Sequence, residues 1–371
     1  MNERAVKRLL EAVPGDREAE ERAWAIVRAS YAGRQPLRGR ARLRPGLVLA
    51  ALAVAVAAAT LSPPGRAVVN AVRRTIGIQH AAPALFRLPA PGRLLVSGSG
   101  GTWLVAADGS KRRLGDYVQA SWSPHGLYVV AATTNQLATL EPGGRVHWTL
   151  ARRQIRFPRW GGAHADTRIA YLSASRLHVV AGDGTGDLDA AGLPAAARVA
   201  PTWQPTDAAR HVLAYVTTRG RVLVLDSDRG SVRWVSARHG RARALAWSPD
   251  GKRLALAAAT RVVLFDARSG RNRAVRVKGV RALAFAPDGR LALLRGRSVL
   301  ELKGSQLRTV FAAPGRLQGL AWSPDGRWLL TSLPRADQWV FVQARGEHRV
   351  LGVSHIAGQF GGVPTLDGWL R

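Results

Sequence analysis

The side chains best suited to chemistry are spread thinly along this chain. Nine histidines, His80, His125, His147, His164, His178, His211, His239, His348 and His355, could bind a metal or carry a proton, but no two stand at ligand spacing within one helix or strand. Asp183, Asp187 and Asp189, in and after the run Gly182-Asp183-Gly184-Thr185-Gly186-Asp187, loosely match a calcium loop. The glutamate that completes such a site is missing, so a solvated loop is expected there. Gly98-Ser99-Gly100-Gly101 has no lysine after it and falls where a hairpin is expected rather than a phosphate cradle. The metalloprotease, nucleophile-elbow, Walker and dinucleotide-binding patterns are all absent, and with no cysteine there is no thiolate ligand or thiol nucleophile. The expectation is a protein with no catalytic, cofactor or metal site.

Charge is the stronger signal. Lys and Arg number 55 against 24 Asp and Glu, a formal charge of +31. A GC-rich genome accounts for part of the Arg excess but not for the shortage of acids, which implies anionic surroundings. Arg152, Arg153, Arg156 and Arg159 form one cluster, and Arg271, Arg273, Arg276 and Lys278 another. Outside a bacterial cell the matching partners are anionic lipid headgroups or envelope polymers; inside, nucleic acid.

The elements that must position these residues come from a repeat. Trp247-Ser248-Pro249-Asp250-Gly251 recurs as Trp322-Ser323-Pro324-Asp325-Gly326, with looser copies at Trp122-Ser123-Pro124-His125-Gly126 and Phe285-Ala286-Pro287-Asp288-Gly289. Trp203-Gln204-Pro205 and Trp160-Gly161-Gly162 are more degenerate, and Phe360-Gly361-Gly362 closes the series, at intervals of 38, 43, 44, 38, 37 and 38. Ser-Pro-Asp-Gly fits a type I turn, so Trp122, Pro124, Trp247, Pro249, Asp250, Gly251, Pro287, Asp288, Trp322, Pro324, Asp325 and Gly326 are expected to be structural. In one unit, strands over Ala244–Trp247, Arg253–Ala257, Arg261–Phe265 and Asn272–Val277 make four short strands about every 40 residues. That is a propeller blade, which must stack in a ring to cover both faces. Residues 93–116 lack a first strand and Ser354 to Phe360 supply one, so the two ends are expected to pair. The fold expected is all-β, a seven-bladed β-propeller with six or eight blades as the alternatives. The aromatic residues are then repeat core, which argues against nucleic acid as the partner.

The turn and the short apolar strand after it resemble the WD-repeat-like repeats of TolB-type propellers, over about 270 residues. Most Gly-His and Trp-Asp dipeptides of true WD repeats are missing, Phe265-Asp266 being the nearest. The whole layout resembles single-span propeller proteins of high-GC actinobacteria. Neither resemblance implies an activity.

Ahead of the repeat lie 21 residues without a charge, Pro45 to Gly65. They are ended by Pro63-Pro64 and form a short, Ala-rich candidate span. Arg34, Arg38, Arg40, Arg42 and Arg44 outweigh Arg66, Arg73 and Arg74, which puts the N-terminus in the cytoplasm and the propeller outside. A 46-residue lead favours an uncleaved anchor over a cleaved signal. The division expected is 1–45, a cytoplasmic helical region; 46–63, the transmembrane helix; 64–92, a juxtamembrane helix and Pro-rich linker; and 93–371, the propeller. Trp24, Val27 and Tyr31 share one face of a helix over Asp16 to Gly33 and are candidate partner-binding residues. In layout, though without the usual His and Cys zinc ligands, the chain resembles membrane-bound anti-sigma factors, which implies a cytoplasmic regulatory partner.

The functional expectation is a non-catalytic, membrane-anchored binding or scaffold module in a bacterial cell membrane. Its rivals are a propeller enzyme with a central-channel site, and an uninserted cytosolic scaffold. The channel enzyme requires acids and histidines at the starts of first strands, where this sequence reads Ala244-Leu245-Ala246 and Ala282-Leu283-Ala284.

Overall fold

The computed structural model describes residues 78–80, 87–163, 165–190, 192–205 and 210–371. The charge-free span and Trp24, Val27 and Tyr31 lie outside them. Among the described residues no helix is long and apolar enough to cross a membrane.

Among the described residues seven sheets, antiparallel apart from one added edge strand, make seven blades: blade 1 joins residues 93–115 to 365–370, and blades 2 to 7 follow at 119–151, 155–189, 202–235, 242–276, 280–312 and 318–354. Blade 5 follows the expected unit closely, with strands Ala242–Trp247, Arg253–Ala258, Arg261–Asp266 and Asn272–Arg276 in that order from inside out. Its two middle strands are buried without alternation from Leu254 to Ala258 and from Val262 to Phe265. A neighbouring blade covers each face, so the period-2 pattern of a half-exposed strand is lost. The core is therefore a series of interblade layers. Between blades 5 and 6, for example, Ala255, Ala257, Val262 and Leu264 meet Leu291, Leu293, Leu300 and Leu302. Outer strands are exposed, as Arg273 and Arg276 illustrate.

The turns form as their chemistry dictates. Gly251 N–H donates to Ser248 O at 2.9 Å, Arg253 N–H to Ser248 Oγ at 2.9 Å, and Lys252 N–H to Asp250 Oδ1 at 3.1 Å. Gly251 sits at φ +65°, where a side chain would be strained. Ser123 and Ser323 head the same turn, and the Trp122 and Trp322 rings before them are buried.

Two devices lock blade to blade. Trp203, Trp247 and Trp322 donate their indole N–H to Arg159 O, Thr202 O and Ala284 O of the preceding blade, at 2.9, 3.1 and 3.0 Å. Each acceptor is the residue just before the preceding blade's aromatic. In the other direction, Arg93, Arg253 and Arg290 reach forward to the next blade's turn. They donate to Gly126 O, Gly289 O and Gly326 O at 3.0, 3.1 and 2.5 Å and stack over Trp122, Phe285 and Trp322. Part of the Arg excess is thus a structural clasp. The degenerate unit Trp160-Gly161-Gly162 also has a physical reason: a Cβ on Gly161 would lie 2.1 Å from the Trp203 ring.

The closing strand differs from the expectation. Ile356–Phe360 is one helical turn, and the first strand of blade 1 is Thr365–Leu370, paired with Arg93–Gly98. His355 takes a left-handed conformation, and Ala357 N–H donates to Asp337 Oδ1, so the chain turns into a helix after Ser354. Phe360 then fills the core between Trp103 and Trp339, with ring centroids at 5.8 and 5.0 Å. The seventh aromatic of the ring is Trp369. Ile78–His80 adds a fifth strand, parallel to the outer strand Val350–Ser354 of blade 7.

Candidate anion-binding face

In a four-stranded meander the 1–2 and 3–4 turns lie on one face, and the 2–3 turns and blade-to-blade connections on the other. The turn chemistry draws acids to the first of these. Asp250, Asp288 and Asp325 sit in 1–2 turns, while Asp108, Glu141, Asp183, Asp226 and Asp266 sit at 3–4 turns. Ser248 and Lys252 N–H hold the Asp250 carboxyl below its usual range, and Ser269 does the same for Asp266. The opposite, connection face has no turn that calls for an aspartate at a set position. Asp116 and Asp337 stand there, the first ion-paired with Arg113 and the second accepting from Ala357 N–H.

The result is a bowl on the connection face at blades 4 and 5, of about 640 Å³. Arg198, Arg219, Arg238, Arg241, Arg243 and Arg281 line it, over walls that include Val199, Val216 and Ala242, with no acid and no aromatic residue in the lining. All six arginines are exposed, and among the described residues none is ion-paired. The walls are held by backbone: Ala197 N–H to Val216 O at 2.7 Å, Thr218 N–H to Ala195 O at 2.8 Å and His239 N–H to Gly220 O at 2.8 Å. Arg238 Nε also donates to Arg219 O at 3.1 Å. Burial, assisted by the Arg261 charge, pushes the His239 imidazole down, so it adds no positive charge at neutral pH. On the opposite face, between the same two blades, a cavity of about 550 Å³ holds Asp250 and Asp266 beside Arg210, Arg233, Lys252 and Arg268. Only the connection-face cavity is of one sign.

The sequence clusters are placed differently from one another. Arg152 reaches Asp187 Oδ2 at 2.6 Å and Arg176 reaches Asp189 at 2.7 Å, while Asp183 closes its own loop by accepting from Thr185 N–H at 2.9 Å. The three aspartates of the loose calcium pattern therefore serve three separate partners. Asp187 corrects the solvated-loop expectation: its side chain is only 7% exposed and accepts from Tyr171 O–H at 2.7 Å. Burial and this carboxylate push the Tyr171 phenol up. Among the described residues no group of three His, Asp or Glu could hold a metal ion.

His211 is a buried structural histidine. Nδ1 lies 2.8 Å from both Asp228 carboxylate oxygens, and Nε2 lies 2.9 Å from Asp166 O. Gly162 is required beside it, since a Cβ there would lie 3.0 Å from Nε2.

The ring axis carries one feature that the apolar first strands of blades 5 and 6 did not reveal. Asp367 and Arg159 lie on first strands of blades 1 and 3 and sense each other's charge, although blade 2 stands between those blades. Asp367 Oδ2 is buried without a hydrogen-bond partner. Burial pushes its carboxyl up to about 7, and Arg159 draws it part of the way back. The folded protein therefore holds this proton over a range where the unfolded chain, with an aspartate near 4, releases it, so stability falls from about pH 4 to 7. Asp367→Asn is expected to raise the urea midpoint at pH 8 and leave it unchanged at pH 4. An equal effect at both values would mean that ionisation is not the cause.

Comparison with known proteins bears on the fold. Residues 304–342 match the model of the WD domain, G-beta repeat. The match runs through the fourth strand of blade 6 and the first three strands of blade 7. No curated protein matches the chain. A chain in the "Crystal Structure of Mitotic Checkpoint Complex" is similar at 17% identity and a TM-score of 0.52, over 67% of this chain and 87% of that one. A chain of Kuenenia stuttgartiensis Hydrazine Synthase is similar at 14% identity and a TM-score of 0.47, over 61% and 76%.

Proposed function

We propose that this propeller is a non-catalytic binding module that engages an anionic partner through its connection face. The observation that carries the reading is the bowl of six arginines, none ion-paired among the described residues, with no acid in its lining, set against a mixed-charge cavity on the opposite face. The WD-type repeat and the propeller fold suit a binding scaffold, since such rings present loops from several blades on one face. In the same reading, residues 46–63 anchor the chain in a bacterial membrane with residues 1–45 in the cytoplasm, open to a regulatory protein. The propeller then lies outside, facing anionic headgroups or envelope polymers.

Two measurements test the two halves. Retention on an immobilised polyanion is expected to fall steeply with salt, as counterions compete for the face. Elution insensitive to salt would sink the electrostatic reading. Reporter fusions at Arg371 are expected to give an outward, full-length, membrane-bound product. A cytoplasmic reporter signal would favour the cytosolic scaffold instead.

A further inference from the structure

We infer that the bowl between blades 4 and 5 is a site for phosphate-bearing, non-aromatic ligands, an inference that rests on the anion-binding reading above. Six guanidinium groups share one bowl of about 640 Å³, a volume usual for a small-ligand site. A single carboxylate offers one negative charge, too little for six arginines. Linked phosphates bring one or two charges each and several oxygens that accept bidentate Arg forks. The lining has no Trp, Tyr, Phe or His, so nothing there stacks on a nucleobase.

The arginines come from four separate segments: the connection into blade 4, the 2–3 turn of blade 4, the connection into blade 5 running on into its first strand, and the first strand of blade 6. Backbone hydrogen bonds tie the first three of these together, so the walls are built before any ligand arrives. The phosphates could be carried by a soluble or polymeric chain or by lipid headgroups, and the chemistry recognised is the same.

The test uses the full chain in non-ionic detergent at 0.15 M salt, titrated with tripolyphosphate and, for comparison, citrate. Tripolyphosphate is expected to bind at least tenfold more tightly than citrate. Arg241→Ala with Arg243→Ala is expected to weaken tripolyphosphate at least tenfold, whereas the equal charge change Arg271→Ala with Arg273→Ala, at the start of an outer strand and away from the bowl, costs less than twofold. Arg241→Lys with Arg243→Lys, which keeps the charge, is expected to recover part of the loss, and a misfolded variant would not be rescued in this way. Short-chain phosphatidylglycerol below its micellar concentration identifies the source: displacement of tripolyphosphate points to headgroups, and no displacement points to a phosphate chain. Equal losses from the two alanine pairs, or citrate binding as tightly as tripolyphosphate, would overturn the assignment. So would no tripolyphosphate binding by a protein that a polyanion still retains, and that result leaves the broader reading standing. Loss of retention as well would remove both.

Discussion

Trp369→Ala is expected to destabilise the protein by about 3–5 kcal/mol, the usual cost of emptying a large buried aromatic site. Trp369 is 6% exposed, packs edge-on against Phe341 at 5.8 Å, and lies in the cluster that joins blade 7 to blade 1. Its partner across the ladder is Leu94, which is fully buried. The measurement is a urea unfolding curve, accompanied by hydrogen exchange. Amides of Arg93–Gly98 should lose protection in the variant more than those of blade 5, far around the ring. A cost below 1 kcal/mol, or loss of protection spread evenly over all blades, would mean that this strand is not the closing element.

The second large effect is expected at His211. Replacing it by alanine leaves a carboxylate that is one-third exposed and a backbone carbonyl without their donors, and opens space beside Trp203. A cost of about 2–3 kcal/mol follows from unmade hydrogen bonds to partly buried acceptors. Asp228→Asn in the same background should then add little, because the pair acts as a unit. Full additivity of the two substitutions would show that the contact between them carries no energy.

Much of this architecture was legible because the turns repeat. Ser-Pro-Asp-Gly gave blade boundaries to within a residue or two, since proline, aspartate and glycine each have one suitable place in a type I turn. Ring closure was misplaced because Phe360-Gly361-Gly362 repeats the aromatic-glycine pattern at the expected interval, while the chain there is a helical turn stopped by glycine. Tertiary contacts decided it: Asp337 caps that turn, and Phe360 fills a hole beside Trp339. The bowl was not legible at all, because its six arginines run from residue 198 to 281 and converge only when four segments meet. The two Arg clusters that do stand out in the sequence went elsewhere. One is spread over an outer strand, and the other is divided between an ion pair with Asp187 and the ring axis. The clasp arginines had a visible signature, an Arg one or two residues after a turn glycine. Its meaning depended on knowing that the next blade's aromatic lies beneath it.

The pairing of Thr365–Leu370 with Arg93–Gly98 sets a schedule for biosynthesis. The two segments lie roughly 270 residues apart, so at about 5–20 residues per second the ribosome needs roughly 15–50 s to deliver the second after the first. During that interval the strand carrying Leu94 and Val96, both fully buried in the finished ring, pairs with Gly101–Val105 on one side only, and its other edge is unpaired. Joining ends so far apart also costs about 5 kcal/mol of chain entropy beyond a fixed constant, which the growing stack of blades steadily reduces by bringing them together. That edge stays open until Thr365–Leu370 is available to pair with it. The wait of that edge for its partner is thus set by the order of the strands rather than by any single one of them.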